Sequence, residues 1–381
     1  MIENFVCSAP WQGMFINPDG DFRVCCAGKS LGNLNKKPLI EIINDTPIQS
    51  VRNDILTKGH SSYCTNCMEM EKAQGYSLRH QFIRELSEFD TTVYNPTVTD
   101  IRWRNTCQLR CVYCNSEWSS AYASWEGKNI RVSSVDWQQG VLDFLSEHKR
   151  HFVTVNMLGG EPLLLKENLD FVRMVDPNIT ISLVTNLSVD GVEELPVYQE
   201  LINRSCSWLV SLEATGNRFE WIRRNAKWKT TKRNYENLNT KDAKYPSSKG
   251  IHMTYCTYSA FTLVETFDWL REVEPDPNFN QSHISVCLGP DMFNIYNFTP
   301  EIKTEAVKEI DRCLEKHSDY LTESQRNILL SIRESLINKM SEVNMTAIRF
   351  FKEHIRKSDL EMQSIKFADE WPVLNHLLMR V

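Results

Sequence analysis

The sequence has no run of residues long and apolar enough to span a bilayer, which sets aside a membrane-crossing helix. Its first residues, MIENFVCSAPWQG, lack both the basic start and the apolar core of an export signal. Neither an internal repeat nor a low-complexity tract is present. Positive charge is also short. The net charge of −6 argues against a partner held by phosphate neutralisation, so no nucleic-acid partner is expected. One local basic patch, Arg223, Arg224, Lys227, Lys229 and Lys232, reads by default as a solvated helix face, with contact to an anionic substrate as the alternative. Twelve cysteines without an export signal point to a reducing compartment, where clustered thiols mean metal or redox chemistry and not disulfides. The chain is therefore expected to be cytoplasmic.

What is present is an ordinary globular composition, 41% apolar and 24% charged, over 381 residues, enough for one large domain and a smaller one. Residues 1–92 read as a small α+β unit. MFINPDGDFRV gives two short strands joined at Asp19-Gly20, a dipeptide that supplies the positive φ of a tight turn. Thr46-Pro47 then opens a helix with Ile48, Val51, Ile55 and Leu56 on one face. From 93 to 292, six β-rich segments (DIRWR, FVTVNML, ITISLVTN, SWLVSLE, IHMTYCTY and HISVCLG) alternate with helical stretches. This is the habit of β-α units around a parallel sheet or incomplete barrel, with chemistry at the strands' C-terminal ends. Residues 293–381 are helical. Ile302, Ala306, Ile310, Cys313 and Leu314 share a face, and Thr322 with Gln325 forms a capping box. LNTKDAKYPSSKG is read as the chain's mobile loop.

The chemistry sits in two groups of cysteines. Cys107, Cys111 and Cys114 form a C-x3-C-x2-C loop directly after the DIRWR segment. Three thiolates cannot saturate a [4Fe–4S] cube, so one iron would be left open to an exogenous ligand. Cys7, Cys25, Cys64 and Cys67 form the second group, the last two as a CTNC pair that follows the first helix. Four thiolates would leave no open iron. Cys26 competes with Cys25 for the second position, and Cys25 is preferred because it alone fits the G-x4-C spacing from Gly20. Zinc held by the same cysteines is the structural alternative.

The C-x3-C-x2-C loop, together with Gly159-Gly160-Glu161-Pro162 at a later strand end, resembles the signature of the radical S-adenosylmethionine (SAM) superfamily. The resemblance implies a partial (β/α)6 barrel, a SAM-binding [4Fe–4S] cluster on Cys107, Cys111 and Cys114, and SAM itself. It implies that Tyr113 lies against the adenine, that Gly159, Gly160 and Glu161 approach SAM, with Glu161 accepting from its ammonium, and that Asn186 contacts it. It also places Ser211 and Glu213 near the ribose and Arg223 at the carboxylate. Gln108 and Glu213 depart from the commoner Asn and Asp. The C-x12-G-x4-C and CTNC pattern resembles the auxiliary-cluster "twitch" module, the shortened relative of SPASM, placed here before the barrel. That implies an auxiliary [4Fe–4S] cluster on Cys7, Cys25, Cys64 and Cys67.

The expected activity is reductive cleavage of SAM to a 5′-deoxyadenosyl radical that takes hydrogen from a peptide or small polar substrate. The auxiliary cluster would accept an electron, giving net oxidation, and a donor such as flavodoxin or ferredoxin would supply the first one. Alternatives are a peptide maturase forming thioethers or crosslinks, a nucleotide-modifying enzyme, and a non-catalytic zinc protein. No catalytic acid or base is identified. Cys256 and Cys287, on strands, read as small buried hydrophobes or as inward-facing thiols; Cys206, Cys313, His252 and His283 carry no ligand spacing.

Overall fold

The computed structural model describes residues 7–74, 77–85, 90–128, 135–149, 152–240 and 242–381. The six β-rich segments become β4 (Val98–Ile101), β6 (Thr154–Met157), β7 (Ile181–Thr185), β8 (Cys206–Ser211), β10 (Ser247–Tyr255) and β11 (His283–Val286). They pair in parallel in the order β11-β10-β8-β7-β6-β4. Parallel neighbours need a crossover each. Helices Lys166–Met174, Pro196–Leu201, Trp228–Asn237 and Leu263–Val273 lie in those crossovers. The class is α/β, as expected.

The sheet does not stop at β4. The amino-terminal hairpin, β1 (Gly13–Ile16) and β2 (Asp21–Arg23), docks its first strand parallel to β4, with Phe15 opposite Asp100. β3 (Gly32–Asn33) closes that edge, giving nine strands. Gly20 takes the positive φ, +78°, that the Asp-Gly turn required. The Thr46–Lys58 helix is capped by Asp45 and buries Ile48, Val51 and Ile55, whereas Leu56 is 50% exposed and leaves the predicted face.

The stretch read as a mobile loop is shorter than its composition suggested. Ser247–Gly250 already belong to β10, where they run along Cys206–Leu209, and the Ser247 hydroxyl donates to the Cys206 carbonyl. A Ser-Ser-Lys-Gly run has linker composition, but ladder hydrogen bonds to β8 override it.

Side chains alternate across the sheet. Trp208 turns toward helix Pro196–Leu201, where it meets Tyr198 with ring centroids 5.3 Å apart. Trp103, just past β4, stacks on Trp137 at 6.0 Å and meets Phe171 edge-on at 6.4 Å. In the C-terminal region Ile302, Ala306, Ile310 and Cys313 are buried, and Thr322 and Gln325 make the capping box in both directions. Among the described residues no helix is long and apolar enough to cross a membrane.

Trp103 is fully buried between two aromatic neighbours on the helix side, four residues before Cys107. Trp103→Ala is expected to cost about 3–5 kcal/mol, the range for emptying such a site, read as a lower urea midpoint.

Candidate functional site

The loop after β4 carries Cys107, Cys111 and Cys114, and three strand ends hold it. The first is the end of β6. Gly159 and Gly160 have φ of +81° and +49°. A Cβ on Gly160 would sit 2.3 Å from the Thr106 carbonyl oxygen, and the Glu161 N–H donates to that same oxygen at 2.7 Å. The glycines therefore let one backbone press on another, immediately before Cys107. Glu161 itself is fully buried. Its carboxylate accepts from the Thr185 hydroxyl (2.6 Å), the Asn186 N–H (2.7 Å) and the Leu163 N–H (3.2 Å). Burial raises its pKa, and those three donors oppose the rise.

The second is the end of β7. Asn186 accepts from the Gln108 amide at 2.9 Å and directs its own NH2 at the Cys107 sulfur, 3.8 Å away. Gln108 thus turns its longer amide on Asn186 and ties the cluster loop to this strand end.

The third is the end of β8. β5 (Arg110–Cys111) pairs antiparallel with β9 (Arg223–Arg224), setting Cys111 opposite Arg223. The Arg223 fork grips Glu213 through Nε (2.9 Å) and Nη2 (2.6 Å), and its Nη1 points at the Cys111 sulfur at 3.7 Å. The Arg223 guanidinium also lies 5.8 Å from the Tyr113 ring centroid. Ser211 is half-buried at the end of β8, paired in register with His252. Of the residues named from the sequence for this site, Tyr113 lies in the loop, Gly159, Gly160, Glu161, Asn186, Ser211 and Glu213 at these strand ends, and Arg223 on β9. The sequence did not reveal that Arg223 and Glu213 pair with each other, or that Glu161 is satisfied from within.

These residues fit a three-thiolate cluster with a small-molecule ligand. Two sulfurs already have N–H donors aimed at them. The Tyr113 hydroxyl is buried without a partner beside Arg223. The nearby carboxylates of Glu161 and Glu213 are both engaged and supply no fourth ligand. Burial pushes the Cys111 thiol up to about 12, against the pull of Arg223, so ionisation here waits on a bound cation.

The second group also converges. Cys7, Cys25, Cys64 and Cys67 line one cavity together with Gly28, Tyr63 and Arg79, while Cys26 is exposed and does not line it. Burial pushes Cys7 up to about 12, with Cys64 and Cys67 adding to the rise. Among the described residues no three His, Cys, Asp or Glu side chains are drawn in to single-ion spacing.

The face of the sheet turned away from the helices is mixed, with Val184 and Leu209 half-buried and paired between two polar rows. One register row runs Asp100, Asn156, Ser182, Ser207, Ser248 across five strands. Nearer the cluster loop, His252 sits between Ser211 and His283, with its Nε2 2.9 Å from the Ser285 hydroxyl. Burial lowers the His252 pKa to about 4, helped by His283 and Arg223, so it is neutral at pH 7. Asp100 is held by a two-pronged Arg102 contact at 3.0 and 3.1 Å. Four of the five cations in the 223–232 patch likewise have carboxylate partners: Glu213, Glu361, Glu220 and Glu236. Cys256 is fully buried, as a small hydrophobe would be, and Cys287 is partly exposed.

Residues 7–68 match the SPASM iron–sulfur cluster-binding domain, and residues 101–270 match the radical SAM superfamily. No curated protein sequence matches the chain. Similar solved structures include Streptococcus suis SuiB bound to S-adenosylmethionine (13% identity, 67% of this chain and 59% of that one, TM-score 0.42). SuiB bound to the precursor peptide SuiA (12%, 71% and 60%, 0.42) is another. So is anSMEcpe with bound AdoMet and Kp18Cys peptide (16%, 58% and 61%, 0.40). The chain thus spans about six-tenths of the length of these structures. A radical SAM domain carries SAM and a [4Fe–4S] cluster, and a SPASM domain carries auxiliary iron–sulfur. The cysteine loop, the glycine clamp and the domain matches agree: this chain carries a radical SAM domain over residues 101–270, with a SPASM domain on its amino-terminal side over residues 7–68.

Proposed function

We propose that this protein removes a hydrogen atom from a peptide or small polar substrate, with net oxidation as the outcome. The observation that carries the reading is the arrangement at Cys107, Cys111 and Cys114. Three thiols share one loop, two of them under N–H donors, and the adjacent carboxylates are occupied by Arg223 and by the β7 end. When bound, the cluster and SAM together supply a 5′-deoxyadenosyl radical.

The chain's own residues do the rest. Cys107, Cys111 and Cys114 would hold three irons and leave the fourth to SAM. Arg223, paired with Glu213, would turn its Nη1 to the SAM carboxylate once a cluster holds the Cys111 sulfur, and Tyr113, whose hydroxyl has no partner, would lie along the adenine. Ser211 and Glu213 would flank the ribose. Asn186 and the Gly159–Glu161 turn would keep Cys107 in place beneath the ligand. Cys7, Cys25, Cys64 and Cys67 would hold a saturated auxiliary cluster, whose makeup is that of an electron acceptor.

The substrate class follows from the wall it would face. Hydroxyls, an amide and the neutral His252 line it around the apolar Val184 and Leu209, and the nearby charges are paired off, which supports an uncharged group with apolar and hydrogen-bonding parts over a phosphate-anchored nucleotide. The remaining partner would be a one-electron donor such as flavodoxin or ferredoxin. On this reading residues 1–92, 93–292 and 293–381 are the auxiliary, catalytic and helical units, the first two sharing a sheet.

Anaerobically reconstituted protein is expected to bind about eight irons per chain, against about two zincs for a structural zinc protein. Reduced with dithionite, it should form 5′-deoxyadenosine from SAM, measured by chromatography. The triple variant Cys107→Ala, Cys111→Ala, Cys114→Ala should form none; continued formation would contradict the assignment.

Two glycines separate the sites. Gly160→Ala drives a methyl group into the Thr106 carbonyl and should remove about four irons together with SAM cleavage. A Cβ on Gly28 would lie 2.1 Å from the Tyr63 ring, beside Cys64. Gly28→Ala should therefore remove about four irons while the first cluster, followed by its response to SAM in electron paramagnetic resonance, is kept.

A further inference from the structure

The short β5–β9 ladder has two sides. In an antiparallel pair successive side chains point to opposite faces. Cys111 and Arg223 form one cross-strand pair and meet on the side of the cluster loop, 3.7 Å apart. Arg110 and Arg224 form the next pair, and both reach a single carboxylate oxygen on the outer side. That oxygen is Oε2 of Glu361, 3.3 Å from Arg110 and 2.9 Å from Arg224. Glu361 stands in the last turn of the Met345–Met362 helix, about 250 residues from Arg110 in the chain. Arg224 also donates to the Ser358 hydroxyl, one turn earlier on the same helix. Asp359 fixes the helix end by accepting from the Trp221 indole (3.2 Å) and the Phe367 N–H (2.8 Å).

This contact differs from an ordinary surface ion pair. Arg224 is 4% exposed and Glu361 22%, and the carboxylate spans two strands at once. We infer that Glu361 is a positioning residue for the cofactor site: from the outer face it locks the ladder whose inner face presents Cys111 and Arg223. The C-terminal helix is then part of the SAM-binding machinery, acting through Arg110 and Arg224. Without Glu361, Arg110 and Arg224 repel each other across the ladder, and the register of Arg223 loosens with them.

The inference rests on the proposed SAM site, and the test separates the two. Wild-type protein with full iron is assayed for reductive SAM cleavage without added substrate, giving KM for SAM and kcat. In parallel, SAM affinity for the oxidised protein is measured by equilibrium dialysis. Glu361→Ala should raise KM and Kd for SAM about tenfold, the usual cost of losing an outer support, with iron content retained and kcat within about twofold. Ser358→Ala, a milder change, should raise both about threefold. Glu353→Ala, on the exposed side of the same helix, should match wild type. Wild-type affinity in both Glu361→Ala and Ser358→Ala overturns the inference. If Glu361→Ala fails to fold or to load iron, Ser358→Ala decides, and unchanged affinity there is again refutation. Wild-type protein that holds iron but cleaves no SAM would instead overturn the proposed site.

Discussion

The geometry of the candidate site depends on one buried ion pair, Arg223 with Glu213. Side-chain exposure is 7% and 1%, so water screens neither group, and the two parallel contacts fix the guanidinium plane. A buried pair of this kind adds little net stability, because desolvating both charges offsets most of their attraction. What it supplies is position. Glu213 belongs to the end of β8 and Arg223 to β9, so the pair ties a strand of the main sheet to the small ladder that contains Cys111. The third guanidinium nitrogen then has one direction left, toward the Cys111 sulfur. The other two cysteine-loop anchors, Thr106 under Gly160 and Gln108 against Asn186, follow the same logic: each couples a strand end to the loop through a short polar contact.

Much of this was legible in the sequence, and the reasons for the rest are physical. Six strands could be read because buried parallel strands leave compact apolar runs between helices, and the cysteines because ligand spacing is a local property. The Thr322–Gln325 box was legible for the same reason, since both residues act on one helix turn. Pairing of β1 with β4 was not, because the strands lie some 80 residues apart and parallel pairing leaves no turn to mark it. The contact of Gly160 with the Thr106 carbonyl was not legible, because no pattern distinguishes a glycine that admits a ligand from one that admits a backbone. Leu56 was assigned by periodicity to a buried face that the helix turns outward. Partners of buried charges, such as Glu213 for Arg223 or Glu361 for Arg224, are set by the fold alone.

Continuity of the sheet changes how the amino-terminal unit should be viewed. A module that precedes its barrel in sequence is free to be a loosely tethered appendage. Here β1 lies against β4 in register, and the Tyr94 hydroxyl donates to the Gly13 carbonyl at 2.9 Å across the junction. The Trp11 indole donates to the Thr91 carbonyl at 2.8 Å. The four-cysteine cavity is therefore fixed relative to the strand that feeds the Cys107 loop, and order along the chain has no bearing on the distance between them. Electron transfer between two sites asks for a constant separation, which a shared sheet provides and a flexible linker does not.

The arginines beside the open face of the sheet are already engaged. Recognition of a phosphate or carboxylate calls for a cation with donors to spare, usually an arginine fork. Arg102 gives two donors to Asp100, and Arg223 gives two to Glu213 and one to a sulfur that a cluster would claim. Lys227 and Lys232, in the basic patch, turn to Glu220 and Glu236. What faces the open side of the sheet is instead a row of hydroxyls with the Asn156 amide, the apolar Val184 and Leu209, and His252 held neutral by burial. The polar groups both donate and accept, and they match alcohols and peptide amides equally well. With Arg102 and Arg223 already engaged, this face offers an anionic group no free arginine fork. The acidic net charge and the paired basic patch act in the same direction, one at long range and the other at the site.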